Sequence, residues 1–169
     1  MINTPKPAEL PIGEVVAAIK YETLWTHEPS RCCTDVDAVS MGVRIEFEDS
    51  DILAIRWLMK GFVESIALGE RGQGEPSPST LIVDASDRWP RQIGARLDDV
   101  KWSLHTSPGG EAPWACRLVL SGGHDLVIAL GECDGDRISY IPDGLLVIGS
   151  SDVAKTYRPI AAYRSAWGD

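Results

Sequence analysis

The sequence predicts a mainly β fold: one domain spanning residues 1–169, made of two pseudo-symmetric antiparallel β-meander halves, residues 12–70 and 93–150, joined by a linker at 71–80. The halves are expected to pack as a sandwich or half-open barrel, with one short C-terminal helix. Three observations lead there. One stretch is written twice: Ile12-Gly13-x-x-Val16-x-x-Ile19-Lys20-Tyr21 reappears as Ile93-Gly94-x-x-Leu97-x-x-Val100-Lys101-Trp102. The likeness continues, with Val43-Arg44-Ile45-x-Phe47 echoed by Cys116-Arg117-Leu118-x-Leu120, and Ile66 to Glu70 recurring identically at Ile128 to Glu132. Two copies of one supersecondary unit bury each other's apolar faces. The remaining observations are that apolar residues alternate with period two and that no long amphipathic helical pattern occurs.

Residues 1–11 are Pro-rich and extended. From Glu14 to Trp25 two periods compete: Ile12, Val16 and Ile19 have helical spacing, whereas Val15, Ala17, Ile19, Tyr21, Thr23 and Trp25 alternate. Trp102 and Leu104 alternate in the second copy and the leading glycine weakens a helix by about 1 kcal/mol, so a strand is favoured; a bulge near Ala17-Ala18, matched at Asp98-Asp99 in the second copy, reconciles the periods. Thr26 to Ser40 reads as a polar loop that the second half lacks. Val43, Ile45 and Phe47, a turn at Asp49-Ser50-Asp51, and Leu53, Ile55 and Trp57 form a hairpin. Phe62 to Leu68 is a further strand, and Arg71 to Ser79 is a flexible linker. Leu81-Ile82-Val83 leads into the second copy, where Leu118 and Leu120, a Gly122-Gly123 turn, and Leu126, Ile128 and Leu130 repeat the hairpin. Asp134-Gly135-Asp136 is a turn before a short strand from Ile138 to Tyr140, and Leu145 to Ile148 is a fully buried strand. Asp152 can cap a helix running through Tyr157 that Pro159 stops.

A chain of 169 residues with 44% hydrophobic and 24% charged residues is large enough to bury its own core. Its formal net charge of −9 repels nucleic acid and anionic lipid and steers basic partners inward. The N-terminal residues have no signal-peptide apolar core and no later run is long enough for a membrane span, so the expected compartment is the cytoplasm. Cys32 and Cys33 are adjacent and strained as a mutual bridge. Cys116 and Cys133 lie in apolar strand patterns, so all four cysteines read as reduced thiols.

Candidate chemistry is sparse. His27, Cys32 and Cys33 are soft donors, but their spacing differs from that of structural zinc sites. Cys116 and Cys133 behave as small core residues rather than nucleophiles paired with His105 or His124. The Gly-rich turns lack a following Lys and helix, so no cofactor is indicated. Among six tryptophans, Trp57 and Trp102 fall in strand phase and are expected in the core, while Trp25, Trp89, Trp114 and Trp167 adjoin loops or the terminus. Aromatics beside acidic loops suit protein recognition, because rings anchor and charges steer. Expected partner-contacting residues are therefore Trp25, His27, Glu28, Asp35 and Asp37 of the extra loop, with Asp49, Asp51, Asp134 and Asp136 of the acidic turns. For the loop, the alternative is that it covers an exposed sheet edge.

The stretch from Trp89 to Ile148 carries Trp89-x-x-x-Ile93-Gly94, Leu126 to Glu132, and Tyr140-x-Pro142-Asp143-x-Leu145-x-Val147. On these residues the chain resembles small bacterial proteins encoded beside polymorphic toxin genes and is similar in style to immunity proteins. The resemblance implies a short, acidic, cytoplasmic, mostly β protein without catalytic motifs, and residues of this kind specify fold rather than activity.

The leading expectation is an immunity or inhibitor-type protein, not an enzyme, that occludes a basic toxin or effector domain and engages neither nucleic acid nor membrane. The alternatives are a small-ligand-binding β domain with a pocket lined by Trp57 and Trp102, or an interaction protein with no toxin partner. An enzyme stands third and requires His105 or His124 beside a carboxylate or thiol.

Overall fold

A computed structural model describes residues 10–25, 28–69 and 79–169. Its strands, in chain order, are β1 (Val16–Leu24), β2 (Ser30–Cys33), β3 (Val36–Val39), β4 (Gly42–Phe47), β5 (Ile52–Lys60), β6 (Val63–Leu68) and β7 (Thr80–Asp84). They continue with β8 (Leu97–Ser107), β9 (Gly110–Leu120), β10 (Leu126–Leu130), β11 (Glu132–Asp134), β12 (Arg137–Ser139) and β13 (Leu145–Ile148). One helix follows, α1 (Ser151–Thr156). Two large antiparallel sheets result: sheet one is ordered β6-β5-β4-β1-β7, and sheet two β2-β3-β13-β10-β9-β8. No helix among the described residues is long and apolar enough to cross a membrane.

Equivalent registers relate the two sheets. Ile19 faces Ile45 and Ile45 faces Leu53 in sheet one; Val100 faces Leu118 and Leu118 faces Leu126 in sheet two. Both leading strands are bulged at the matched place, between Val16 and Ala18 and between Leu97 and Asp99. Each is preceded by a glycine in the left-handed region, Gly13 at φ +92° and Gly94 at φ +82°, a conformation that costs a side-chain-bearing residue about 1–2 kcal/mol. The pentapeptide Ile66 to Glu70 departs from this correspondence. Ile66 to Leu68 lie in β6 at an edge of sheet one, whereas their copies lie in β10, whose counterpart in the other copy is β5 rather than β6. The identity reflects two apolar strand ends meeting a glycine, not equivalent positions.

Sheet two is covered on both faces. All of β10 and β13 is buried. Period-two alternation sends Cys116 toward sheet one and Arg117 the other way, where its guanidinium lies 3.6 Å from the ring centre of Trp167. Tyr157 closes the same side, donating a 2.5 Å hydrogen bond to the Leu130 carbonyl and meeting Trp114 edge-on at 5.4 Å. Trp114 and Trp89, expected near loops, are therefore the fully buried tryptophans, while Trp57 and Trp102, expected in the core, pack against it half-buried. Loop proximity in sequence misled here, because a β-bulge between Ser103 and Leu104, opposite Ala115 and Pro113, places Trp114 inside β9. The helix is capped by the Ser150 side chain, not Asp152, which sits in the first turn.

Two further expectations are corrected. The segment read as a polar loop folds into the β2–β3 hairpin, which pairs along β13 and so covers an edge of sheet two. Val36 and Val39 are buried there, so tertiary pairing outweighs the polar content of the segment. The cysteines are not all thiols: Cys32 is bonded to Cys133, with a Cα–Cα separation of 5.8 Å, tying β2 to the β11–β12 hairpin. Sequence adjacency hides this pairing: the register shifts between Arg31 and Cys33, and Cys32 is buried in the bond while Cys33 is exposed and free. Most of the expected linker, and residues 1–9, lie outside the described residues; at the linker's end Thr80 already belongs to β7.

Candidate functional site

β7 and β2 are the outermost strands of their sheets, and a cavity of about 410 Å³ opens beside them, lined by Tyr21, Glu28, Arg31, Asp37, Val83 and Arg88 among others. Its floor is a hydrogen-bond network crossing from sheet to sheet. Tyr21 of β1 donates to Asp37 Oδ2 of β3 at 2.8 Å, and Trp89 Nε1 donates to the Tyr21 hydroxyl at 2.6 Å. Arg88 grips Asp37 with both ends of its fork, Nε to Oδ2 at 3.0 Å and Nη2 to Oδ1. A bidentate pair of this kind fixes direction as well as charge.

Local sequence explains why Arg88 arrives there. After β7 the chain makes a tight turn at Ser86–Arg88. Ser86 pins that turn by accepting from Ile19 N–H at 3.1 Å and by donating its own N–H to Asp84 Oδ1 at 2.8 Å. These contacts hold the Asp84 carboxyl below its ordinary range. Burial, reinforced by the neighbouring Asp37 charge, pushes the Tyr21 phenol far above its usual range, so it remains protonated and acts as a donor. Burial likewise raises Asp37, opposed by the Tyr21 hydrogen bond and the Arg31 charge.

Of the residues expected to contact a partner, Glu28 and Asp37 meet in this groove. Trp25 follows the end of β1 with 68% of its surface exposed and is not among the residues lining the groove. His27 lies outside the described residues. Asp35 is exposed at the β2–β3 turn, where its carbonyl accepts from Gly149 N–H at 2.8 Å. Asp49 and Asp51 occupy the β4–β5 turn, and Asp134 and Asp136 the β11–β12 turn, so the expected set is spread over the groove and three separate turns. Sequence reasoning missed Tyr21, Arg88 and Trp89. Tyr21 matches Trp102 in the repeat and reads only as core, and nothing in the sequence pairs Arg88 with an aspartate so far away.

Other expected chemistry is redirected. Cys32 is bonded to Cys133 and so is unavailable as a thiolate ligand; among the described residues no three His, Cys, Asp or Glu side chains converge as a metal site. Cys116 is fully buried, and burial pushes its thiol up to about 12. His105 Nε2 meets the backbone carbonyl of Glu64 at 2.7 Å rather than a carboxylate or thiol, and His124 is exposed in a turn. Trp57 and Trp102 do not share a pocket: one lines a cavity of about 440 Å³ with Met41 and Asp143, the other a separate cleft with Glu111 and Arg164. Compared with protein-family models, curated proteins and solved structures, the chain matches none.

Proposed function

We propose that this chain is a protein-binding module of the immunity or inhibitor type that docks a basic protein domain across the groove between β2 and β7. The observation that carries the reading is Trp25, a large aromatic left 68% exposed three residues before Glu28 of the groove wall. An exposed aromatic ring in an acidic segment of sequence is the composition of an interface anchor. The net charge of −9 would speed encounter with a basic partner and disfavour nucleic acid and anionic membrane.

Compartment follows the cysteines. The cytoplasmic expectation draws on the N-terminal residues and on free thiols; the Cys32–Cys133 bond removes the second ground, because such a bond persists where surroundings are oxidising. Alkylating thiols before cell lysis decides it: one protected pair assigns an oxidising compartment, and four labelled cysteines restore the cytoplasm.

The functional reading is tested by measuring association with the product of an adjacent toxin-like gene at low and high salt, for the native chain, Trp25→Ala and Glu28→Lys. Rapid, salt-sensitive association that both substitutions weaken supports it. No binding, or an on-rate indifferent to salt, overturns it.

A further inference from the structure

Among the described residues the buried carboxylates Glu22, Asp37 and Asp125 each meet an arginine. Glu22 is held by Arg56 through two 2.6 Å contacts and by Arg44 at 3.2 Å; Asp37 is held by Arg88, and Asp125 by Arg117 at 2.7 Å. Glu64 differs. It is half-buried in β6, and no Lys or Arg among the described residues pairs with it. Its carboxylate instead receives the Tyr140 hydroxyl.

The fold holds Glu64 there on purpose-built contacts. Ser65 donates to the Pro113 carbonyl at 3.1 Å, drawing β6 across β9. The Glu64 carbonyl is fixed by His105 Nε2 at 2.7 Å, which commits that nitrogen's proton. Burial, then the Glu64 hydrogen bond, pushes the Tyr140 phenol up, so the hydroxyl stays protonated and is the donor to the Glu64 carboxylate. Glu64 and Tyr140 line a cleft of about 340 Å³ together with the apolar Phe62, Pro108, Pro159 and Ile160 and the polar His105, Thr106 and Ser107. Phe62 is 83% exposed and Ile160 fully so. Large apolar side chains at the mouth of a cleft with one uncompensated negative charge describe a site for a cation on an apolar stem.

We propose that this cleft binds an organic cation, an ammonium or guanidinium group carried on an apolar stem, with Glu64 as counter-charge and Tyr140, Phe62 and Ile160 as walls. An anion is disfavoured by Glu64 itself, and the acidic surface raises the local concentration of cations. The cation has two possible sources, a free amine or a basic side chain of another protein, and both present the same chemistry. This proposal is independent of the groove between β2 and β7.

The test is a titration followed by NMR shifts of the His105 ring and Ile160 methyls, with benzylamine, neutral benzyl alcohol and a capped arginine amide as probes. We expect saturable shifts from the cations, at least about tenfold tighter than from the alcohol, and a similar loss in Glu64→Gln. Tighter binding of the arginine amide than of benzylamine assigns the site to protein side chains; the reverse order assigns it to free amines. Equal binding of benzylamine and benzyl alcohol overturns the proposal, as does undiminished binding by folded Glu64→Gln. If that variant fails to fold, Ile160→Lys, at a fully exposed position, places a competing cation at the mouth; unchanged benzylamine binding by it overturns the proposal equally.

Discussion

Val15 faces Arg96 in an antiparallel bridge, and the two residues occupy the same position in the two copies of the repeat. The bonds around them are reciprocal. Gly13 N–H donates to the Leu97 carbonyl at 2.7 Å and Gly94 N–H to the Val16 carbonyl at 2.8 Å. Val16 N–H donates to Ala95 and Leu97 N–H to Glu14, both at 2.9 Å. A local two-fold axis therefore passes between Val15 and Arg96, and the sheets are joined through backbone there as well as through packed side chains.

That symmetry makes a paired expectation. Gly13→Ala and Gly94→Ala should each destabilise by about 1–2 kcal/mol, the cost of the left-handed backbone alone, because a Cβ at either position meets nothing within 4 Å. Urea unfolding of each variant checks it; a cost confined to one of the two would break the equivalence.

Asp37→Asn leaves the Arg88 guanidinium without its counter-charge in a site where Asp37 is buried. We expect a loss of about 3 kcal/mol, or about 6–12 °C in melting temperature for a chain of this size. Combining it with Arg88→Met should recover part of that loss, since no unpaired charge then remains. Thermal melts of the single and double variants give the answer.

Cys116 sets a limit at alkaline pH. Its thiol stays neutral in the fold up to about 12, against an ordinary value of 9.0. The unfolded chain therefore releases this proton first, so the contribution to stability is full below about pH 9 and declines as pH rises toward about 12. Cys116→Val, the residue found at the matched position 43, should flatten the decline between pH 8 and 11 in melting curves, after the shared tyrosine contribution is subtracted.

Reduction of the Cys32–Cys133 bond opens a covalent loop with a sequence separation of 101 residues. The expected cost is about 3–5 kcal/mol. Hydrogen exchange should then quicken first in β2 and in the β11–β12 hairpin, the two elements the bond joins. Unchanged urea midpoints with and without a phosphine reductant would contradict this.

Much of the architecture is legible in the sequence because it is written in local period and repetition. The bulges at Ala17-Ala18 and Asp98-Asp99 follow from two competing periods in one strand, and the Gly122-Gly123 turn from residues that tolerate positive φ. The β2–β3 hairpin is not legible in this way. Ser30–Cys33 and Val36–Val39 are four residues each, broken by Ser30, Arg31 and Asp37, and they become strands only because β13 offers an edge. The candidate groove shows the same division. Glu28 and Asp37 announce themselves as acidic residues in the extra segment, whereas Tyr21 and Arg88 acquire their roles only when distant elements meet.

Sheet two cannot be completed by the half of the chain that supplies most of it. Its outer hairpin is made early, at residues 30–39, and its seat on β13 is made last, at residues 145–148. During synthesis the hairpin must wait, unpaired, for almost the whole remaining chain to emerge. Contacts so far apart in sequence form slowly, and an open strand edge in the interval invites pairing with other nascent chains. The order of manufacture thus makes the closing of this edge the vulnerable step in the protein's maturation, and the Cys32–Cys133 bond can seal only what that step has already brought together.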